Sequence, residues 1–196
     1  MLIYIHGFNS SALSFKAGLV GRRMAELNHA GEFACPELPH RPAQAIGLLE
    51  GVLKKALPQR PALIGSSLGG FYATWLAERH GLRAVLVNPA VRPYELLKDA
   101  VGPQANLYTG AHYDFTEDHL AELRALEVPE VTSKHYLLIV RTGDEVLDYR
   151  DAVARYRGSE QVVEAGGDHG FGDFGRYLDR ALAFCGILSG PGAGRM

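Results

Sequence analysis

At 196 residues the chain has the length of one domain, and 47% hydrophobic with 21% charged residues is the balance of a folded globular protein. A net charge of −2 without any sustained basic run excludes the phosphate-neutralising surface of a nucleic-acid-binding protein. No apolar stretch is long enough for a membrane span, and residues 1–6 read as the start of a strand rather than a secretory leader. Cys35 and Cys185 stand far apart without metal-ligand spacing, so free buried thiols and a cytoplasmic location are expected.

Strand and helix patterns alternate along the chain, the rhythm of βαβ units around a parallel sheet. Residues 2–5 are a short apolar run closed by His6-Gly7. A helical pattern covers about 14–30, with Leu19, Met24 and Leu27 on one face and Gly31 as its stop. Residues 33–34 read as a weak strand before Pro36 and Pro39, and about 43–57 as a second helix. The buried strand 62–64 leads straight into a helix, where Leu68, Tyr72, Trp75, Leu76 and Arg79 recur at helical spacing before Gly81. Residues 84–87 are a strand ending at Asn88-Pro89, and 136–140 is an unbroken apolar run of the kind found inside parallel sheets. Residues 161–164 form the last strand, and a helix over about 174–185 closes the fold. The expectation is one α/β domain over residues 1–188, a mostly parallel sheet with helices on both faces, followed by a flexible Gly-rich tail at 189–196.

Between 89 and 134 the rhythm breaks. There is no clear strand, and short helical signals at 94–100 and 117–126 are interrupted by Gly102, Pro103 and Gly110. The aromatics Tyr94, Tyr108, Tyr113 and Phe115 argue against disorder, so this insertion is expected to cap the carboxyl edge of the sheet.

Gly65-Ser66-Ser67-Leu68-Gly69 fits G-x-S-x-G at the junction of a buried strand and a helix. A sharp strand-to-helix turn crowds the positions two before and two after its centre. Glycine stands at both only when the centre is Ser67; centring on Ser66 would crowd Ile64 and Leu68. A serine hydroxyl needs a base, itself oriented by an acid. Asp144 follows the 136–140 strand, with Glu145 and Asp148 as competitors on the same loop, and His169 follows the last strand between glycines. The order Ser, Asp, His matches this reaction class, and backbone N–H groups of Phe8 and Leu68 are the candidate oxyanion donors. His6 is expected to brace its loop, while His29, His80, His112, His119 and His135 read as surface or packing residues. Arg92 beside Pro93 is a candidate to attract an anionic substrate group, against the plainer role of an anchoring salt bridge. Phosphate-loop, dinucleotide and H-E-x-x-H motifs are absent, and His112, Asp114 and His119 do not make a metal pattern, so neither cofactor nor metal is expected.

The segments YIHGFNSS, IGSSLGG, VNPAVRPYELL, TGDEVLDYRDAV and GGDHGF resemble the YqiA-type esterases, a compact branch of the α/β-hydrolase superfamily, over nearly the whole chain. The resemblance implies a shortened hydrolase sheet and metal-free cleavage of a small-molecule ester or acyl thioester by Ser67, Asp144 and His169. Rival readings are a thioesterase acting on acyl-CoA, amide or C–C bond cleavage, and a binding protein built on the same scaffold.

Overall fold

The computed structural model describes residues 1–188; the tail expected at 189–196 lies outside the described residues. In chain order the elements are β1 (Leu2–Ile5), α1 (Phe15–Glu26), β2 (Phe33–Ala34), α2 (Pro42–Ala56), β3 (Ala62–Ser66), α3 (Leu68–His80), β4 (Ala84–Val87), α4 (Pro93–Leu96), β5 (Gly102–Ala105), β6 (His112–Phe115), α5 (Glu117–Ala125), β7 (Tyr136–Arg141), α6 (Tyr149–Arg155), β8 (Glu160–Glu164) and α7 (Leu178–Phe184). Six strands form one sheet in the order β2-β1-β3-β4-β7-β8, and every pairing in it is parallel.

Period-two alternation sorts the strand side chains into two cores. Ile3, Ile5, Leu63, Leu86, Leu138 and Val140 point to the face covered by α2, α3, α5 and α6. Leu2, Tyr4, Ile64, Val85, Leu137 and Ile139 point to the other, covered by α1 and α7. The central strands are therefore sealed on both sides, which explains why 136–140 is apolar without a break.

Four departures from the sequence reading have physical causes. α1 stops at Glu26 rather than near Ala30 because Asn28 takes a left-handed φ of 63°. Asn28 N–H then donates to Ala25 O and His29 N–H to Met24 O, a Schellman closure in which asparagine replaces the glycine sought at 31. The 89–134 insertion does contain strands: β5 and β6 pair antiparallel, from Gly102 opposite Phe115 to Ala105 opposite His112. Gly-Pro-Gln-Ala has no strand propensity of its own and is extended because this pairing and its docking hold it so. The short helix α6 was not legible in the loop after Asp144; Asp148 caps it by accepting from Arg150 N–H at 2.9 Å. The closing helix begins as a 3₁₀ turn over Phe174–Tyr177 before α7.

Because the strands are parallel, the loops after β1, β3, β4, β7 and β8 gather at one edge. The β5–β6 hairpin docks on the first of them. Asn9 donates to Gln104 at 3.0 Å and accepts from the Tyr113 hydroxyl at 2.6 Å, Asn106 donates to Ser10 O at 2.8 Å, and the Phe8 and Phe115 rings meet edge to face. Cys35 and Cys185 are separate free thiols, each pushed up to about 12 chiefly by burial. Among the described residues no helix is long and apolar enough to cross a membrane.

Candidate active site

Ser67 sits between β3 and α3 at φ 55° and ψ −123°, a conformation that costs a residue with a β-carbon about 1–3 kcal/mol. The surroundings over-determine it. Ser67 N–H donates to Val87 O at 3.1 Å, and Ser67 O accepts from the N–H groups of Gly70 at 2.9 Å and Ala90 at 3.1 Å. A β-carbon on Gly65 would run into the Gly69 carbonyl, and one on Gly69 into the Ile5 carbonyl. The turn therefore closes only with glycine on both sides, and that close approach holds the serine hydroxyl at the sheet edge.

His169 Nε2 lies 3.1 Å from Ser67 Oγ, and His169 Nδ1 lies 2.8 Å from Asp144 Oδ2. An ionised carboxylate only accepts, so Nδ1 carries the proton and Nε2 faces the hydroxyl as an acceptor. Asp144 is 2% exposed at its side chain. Burial alone would raise its carboxyl, but hydrogen bonds from His169 and from the Leu147 and Val146 N–H groups, with further electrostatic attraction to the His169 ring, hold it below the ordinary carboxylate range. Its competitors are engaged elsewhere: Glu145 accepts from the His169 backbone N–H at 3.0 Å, and Asp148 pairs with Arg150.

The site also contains a residue to which sequence reasoning assigned no role. Asn88, 3% exposed and at φ 40°, ends β4 beneath the His169 loop. Its amide nitrogen donates to the carbonyls of Asp168 and His169, both at 3.3 Å, and its oxygen accepts from Arg141 N–H at 2.9 Å. One side chain thus ties the histidine loop to the strand that precedes Asp144. The available signal was a polar residue at the carboxyl end of a buried strand, directly before proline.

The N–H groups of Phe8 and Leu68 have no acceptor among the described residues, and both residues line the same cavity wall as Ser67 and His169. Leu68 is the first residue of α3, where N–H groups are free and the helix dipole is positive. His6 braces the Phe8 loop: its Nε2 accepts from Leu38 N–H at 3.1 Å, which leaves Nδ1 to donate to Gly7 O. Burial lowers the His6 pKa, opposed by the Gly7 carbonyl and Glu37, so its ring is held neutral.

Ser67, Asp144, His169, Phe8 and Leu68 are brought together; Arg92 is not. Its Nε lies 3.5 Å from Glu95, and it borders a separate recess of about 50 Å³ with Asp148 and Asp151. That is the salt-bridge arrangement, and Arg92 lines neither cavity that Ser67 borders, although its recess shares Leu96 and Leu147 with one of them.

Comparison with known proteins agrees with this architecture. The UPF0227 protein YcfP of Salmonella paratyphi A is 24% identical over 189 residues, spanning 94% of this chain and 98% of YcfP. Est1E from Butyrivibrio proteoclasticus, solved with bound ferulic acid, superposes with a TM-score of 0.71 at 16% identity over 92% of this chain and 85% of Est1E. Mouse alpha/beta hydrolase domain-containing protein 10 does so with a TM-score of 0.66 at 18% identity, over 95% and 87% of the two chains. The fold is that of the α/β hydrolases. The model of UPF0227, described as an uncharacterised protein family, matches residues 1–186, and the chain belongs to that family.

Proposed function

We propose that this protein is a serine hydrolase that cleaves carboxylic esters or acyl thioesters through an acyl-enzyme on Ser67. The observation that carries this reading is the unbroken chain from Ser67 Oγ to His169 Nε2 at 3.1 Å and from His169 Nδ1 to Asp144 at 2.8 Å, beside open cavities. His169 takes the hydroxyl proton as Oγ attacks the carbonyl carbon, and Asp144 stabilises the imidazolium and its orientation. The Phe8 and Leu68 N–H groups receive the oxyanion; one such donor is worth on the order of 10²–10³ in rate. The tetrahedral species collapses as His169 passes its proton to the departing oxygen or sulfur. Water, deprotonated by the same imidazole, then releases the acid and restores Ser67.

Residues 89–134 act in this reading as a cap, and residues 1–188 as one domain around it. The hydrolase and esterase names among relatives of the same fold support the reaction class. Oxygen esters and thioesters use the same chain of groups, and the ratio of kcat/KM on matched pairs ranks them.

The test is reaction with a fluorophosphonate followed by peptide mapping. Labelling at Ser67 that disappears in His169→Ala is the expected outcome. A folded parent that resists the probe overturns the reading and favours a binding protein on this scaffold.

A further inference from the structure

Two cavities open onto Ser67 and His169, and they differ in charge. One, about 260 Å³, is walled by Ala90, Pro93, Leu96, Leu97, Val146 and Leu147 and carries no acidic or basic side chain other than His169. The other, about 350 Å³, has apolar walls from Phe15, Leu107 and Tyr108 and also contains Lys16. These three apolar side chains are 52%, 82% and 48% exposed, an unusual cluster of large hydrophobic groups left facing a cleft.

The Lys16 ammonium is incompletely hydrogen-bonded. It has three donors, and its one acceptor among the described residues is Gly170 O at 2.6 Å. Asp168 and Asp144 act on it only through space, Asp144 being occupied by His169 and Asp168 by the Phe171 N–H. Desolvation lowers its pKa, as expected for a cation short of partners in a partly dry site. Two N–H groups are therefore left for a ligand in a cavity that mixes the apolar Phe15, Leu107 and Tyr108 with neutral polar groups such as Ser10 and Ser14 and holds no other lysine or arginine.

Position decides which half of a substrate meets this charge. Lys16 is bonded to the residue that follows His169, and His169 must hand its proton to the departing atom. Both cavities border His169, but only the Lys16 cavity also runs along Gly170, so the leaving group is assigned to it and the charge-free cavity to the acyl chain. A single ammonium with no arginine beside it suits one carboxylate better than a phosphate dianion, which calls for a guanidinium fork or several donors.

We infer that the Ser67 cleft selects esters or thioesters whose leaving group carries a carboxylate on an apolar, ring-sized body, bound by Lys16, and whose acyl group is uncharged. This rests on the serine-hydrolase reading above and adds its substrate class.

Three substrates test it on the parent, Lys16→Met and Lys16→Arg: 4-carboxyphenyl butyrate, the near-isosteric 4-carbamoylphenyl butyrate, and the 4-carbamoylphenyl monoester of succinate, whose charge is on the acyl side. In Lys16→Met the carboxyphenyl-to-carbamoylphenyl ratio of kcat/KM should fall roughly 10- to 100-fold, mainly through KM, with Lys16→Arg restoring part of it. An equal loss on all three esters makes Lys16 only an anchor for the histidine loop and overturns the inference. So does a loss confined to the succinate ester, which moves the charge to the acyl side. Failure of the underlying reading looks different: a folded parent that neither hydrolyses any of the three nor takes up fluorophosphonate removes the serine-hydrolase assignment itself.

Discussion

At the carboxyl edge of the sheet, Ser67 is held by three backbone hydrogen bonds and by glycine contacts too close for any β-carbon. The 102–115 hairpin borders the same cleft differently: its strands pair only with each other, and it is tied down by side-chain bonds from Asn9, Tyr113 and Asn106, one backbone bond from Leu107 N–H to Asn9 O and the buried Phe115 ring. Each such hydrogen bond is worth about 0.5–1.5 kcal/mol net and can be lost singly, whereas the elbow is built into the central strands β3 and β4 of the large sheet. Reacting atoms tolerate little displacement, whereas a wall that admits substrate benefits from yielding. Substitutions at the sheet edge should therefore act on kcat, and substitutions in the hairpin on KM.

The largest expected effect separates the carboxylates of one loop. Asp144→Asn should lower kcat on the order of 10⁴-fold by disturbing the His169 tautomer, with the near-UV circular dichroism of the parent retained. Asp148→Ala should change kcat by no more than a few-fold and cost about 1 kcal/mol of stability through loss of the α6 cap. Comparable losses from the two would remove Asp144 from its special position.

Next comes Asn88→Ala. Releasing the carbonyls of Asp168 and His169 from the end of β4 should cost roughly 10- to 100-fold in kcat, with KM nearly unchanged. A rise in KM alone would show that the loop keeps its place without this clamp.

A smaller effect should follow Tyr113→Phe, which removes the 2.6 Å bond to Asn9. KM should rise several-fold, and hydrogen exchange over 102–115 should quicken by roughly tenfold at most while β3 and β7 stay protected. Faster exchange in both regions alike would mean that hairpin and sheet open as one unit.

The least effect is expected from pH. His6 and His119 are 3% and 4% exposed, and burial lowers both pKa values, for His119 against the opposing charges of Glu122 and Asp118 and with Arg41 lowering it further. The native state then binds fewer protons than the unfolded chain. Stability is full above the ordinary imidazole value of about 6.5 and declines as pH falls below it toward the lowered native values. Melting temperature should drop between about pH 7 and 5, and His119→Gln should flatten that slope. An identical slope in the variant would mean that His119 is not held neutral.

Much of the scaffold was legible in the residues. Continuous apolar runs marked β1, β4 and β7 and most of β3, because a strand sealed on both faces leaves polar residues little place, while the partly exposed edge strands β2 and β8 gave weaker signals. The glycine pair at 65 and 69 identified which of two adjacent serines stands at the turn, since steric crowding is a local property. The β5–β6 hairpin was not legible, because Gly-Pro-Gln-Ala becomes a strand only through its partner and its docking on Asn9. The end of α1 was misjudged for a related reason: asparagine and glycine both accept a left-handed φ, and the nearer one stopped the helix.

By itself the sequence determined the parallel α/β scaffold, the Ser67 elbow and the order of the groups that follow it, all of which depend on residues close together in the chain. Only the tertiary structure decided that Asp144 rather than Glu145 or Asp148 meets the His169 ring, that Arg92 turns to Glu95, and that Asn88 and Lys16 hold the histidine loop. Those outcomes depend on distances between residues up to 154 positions apart, which exist only once the strands have brought their carboxyl ends to one edge.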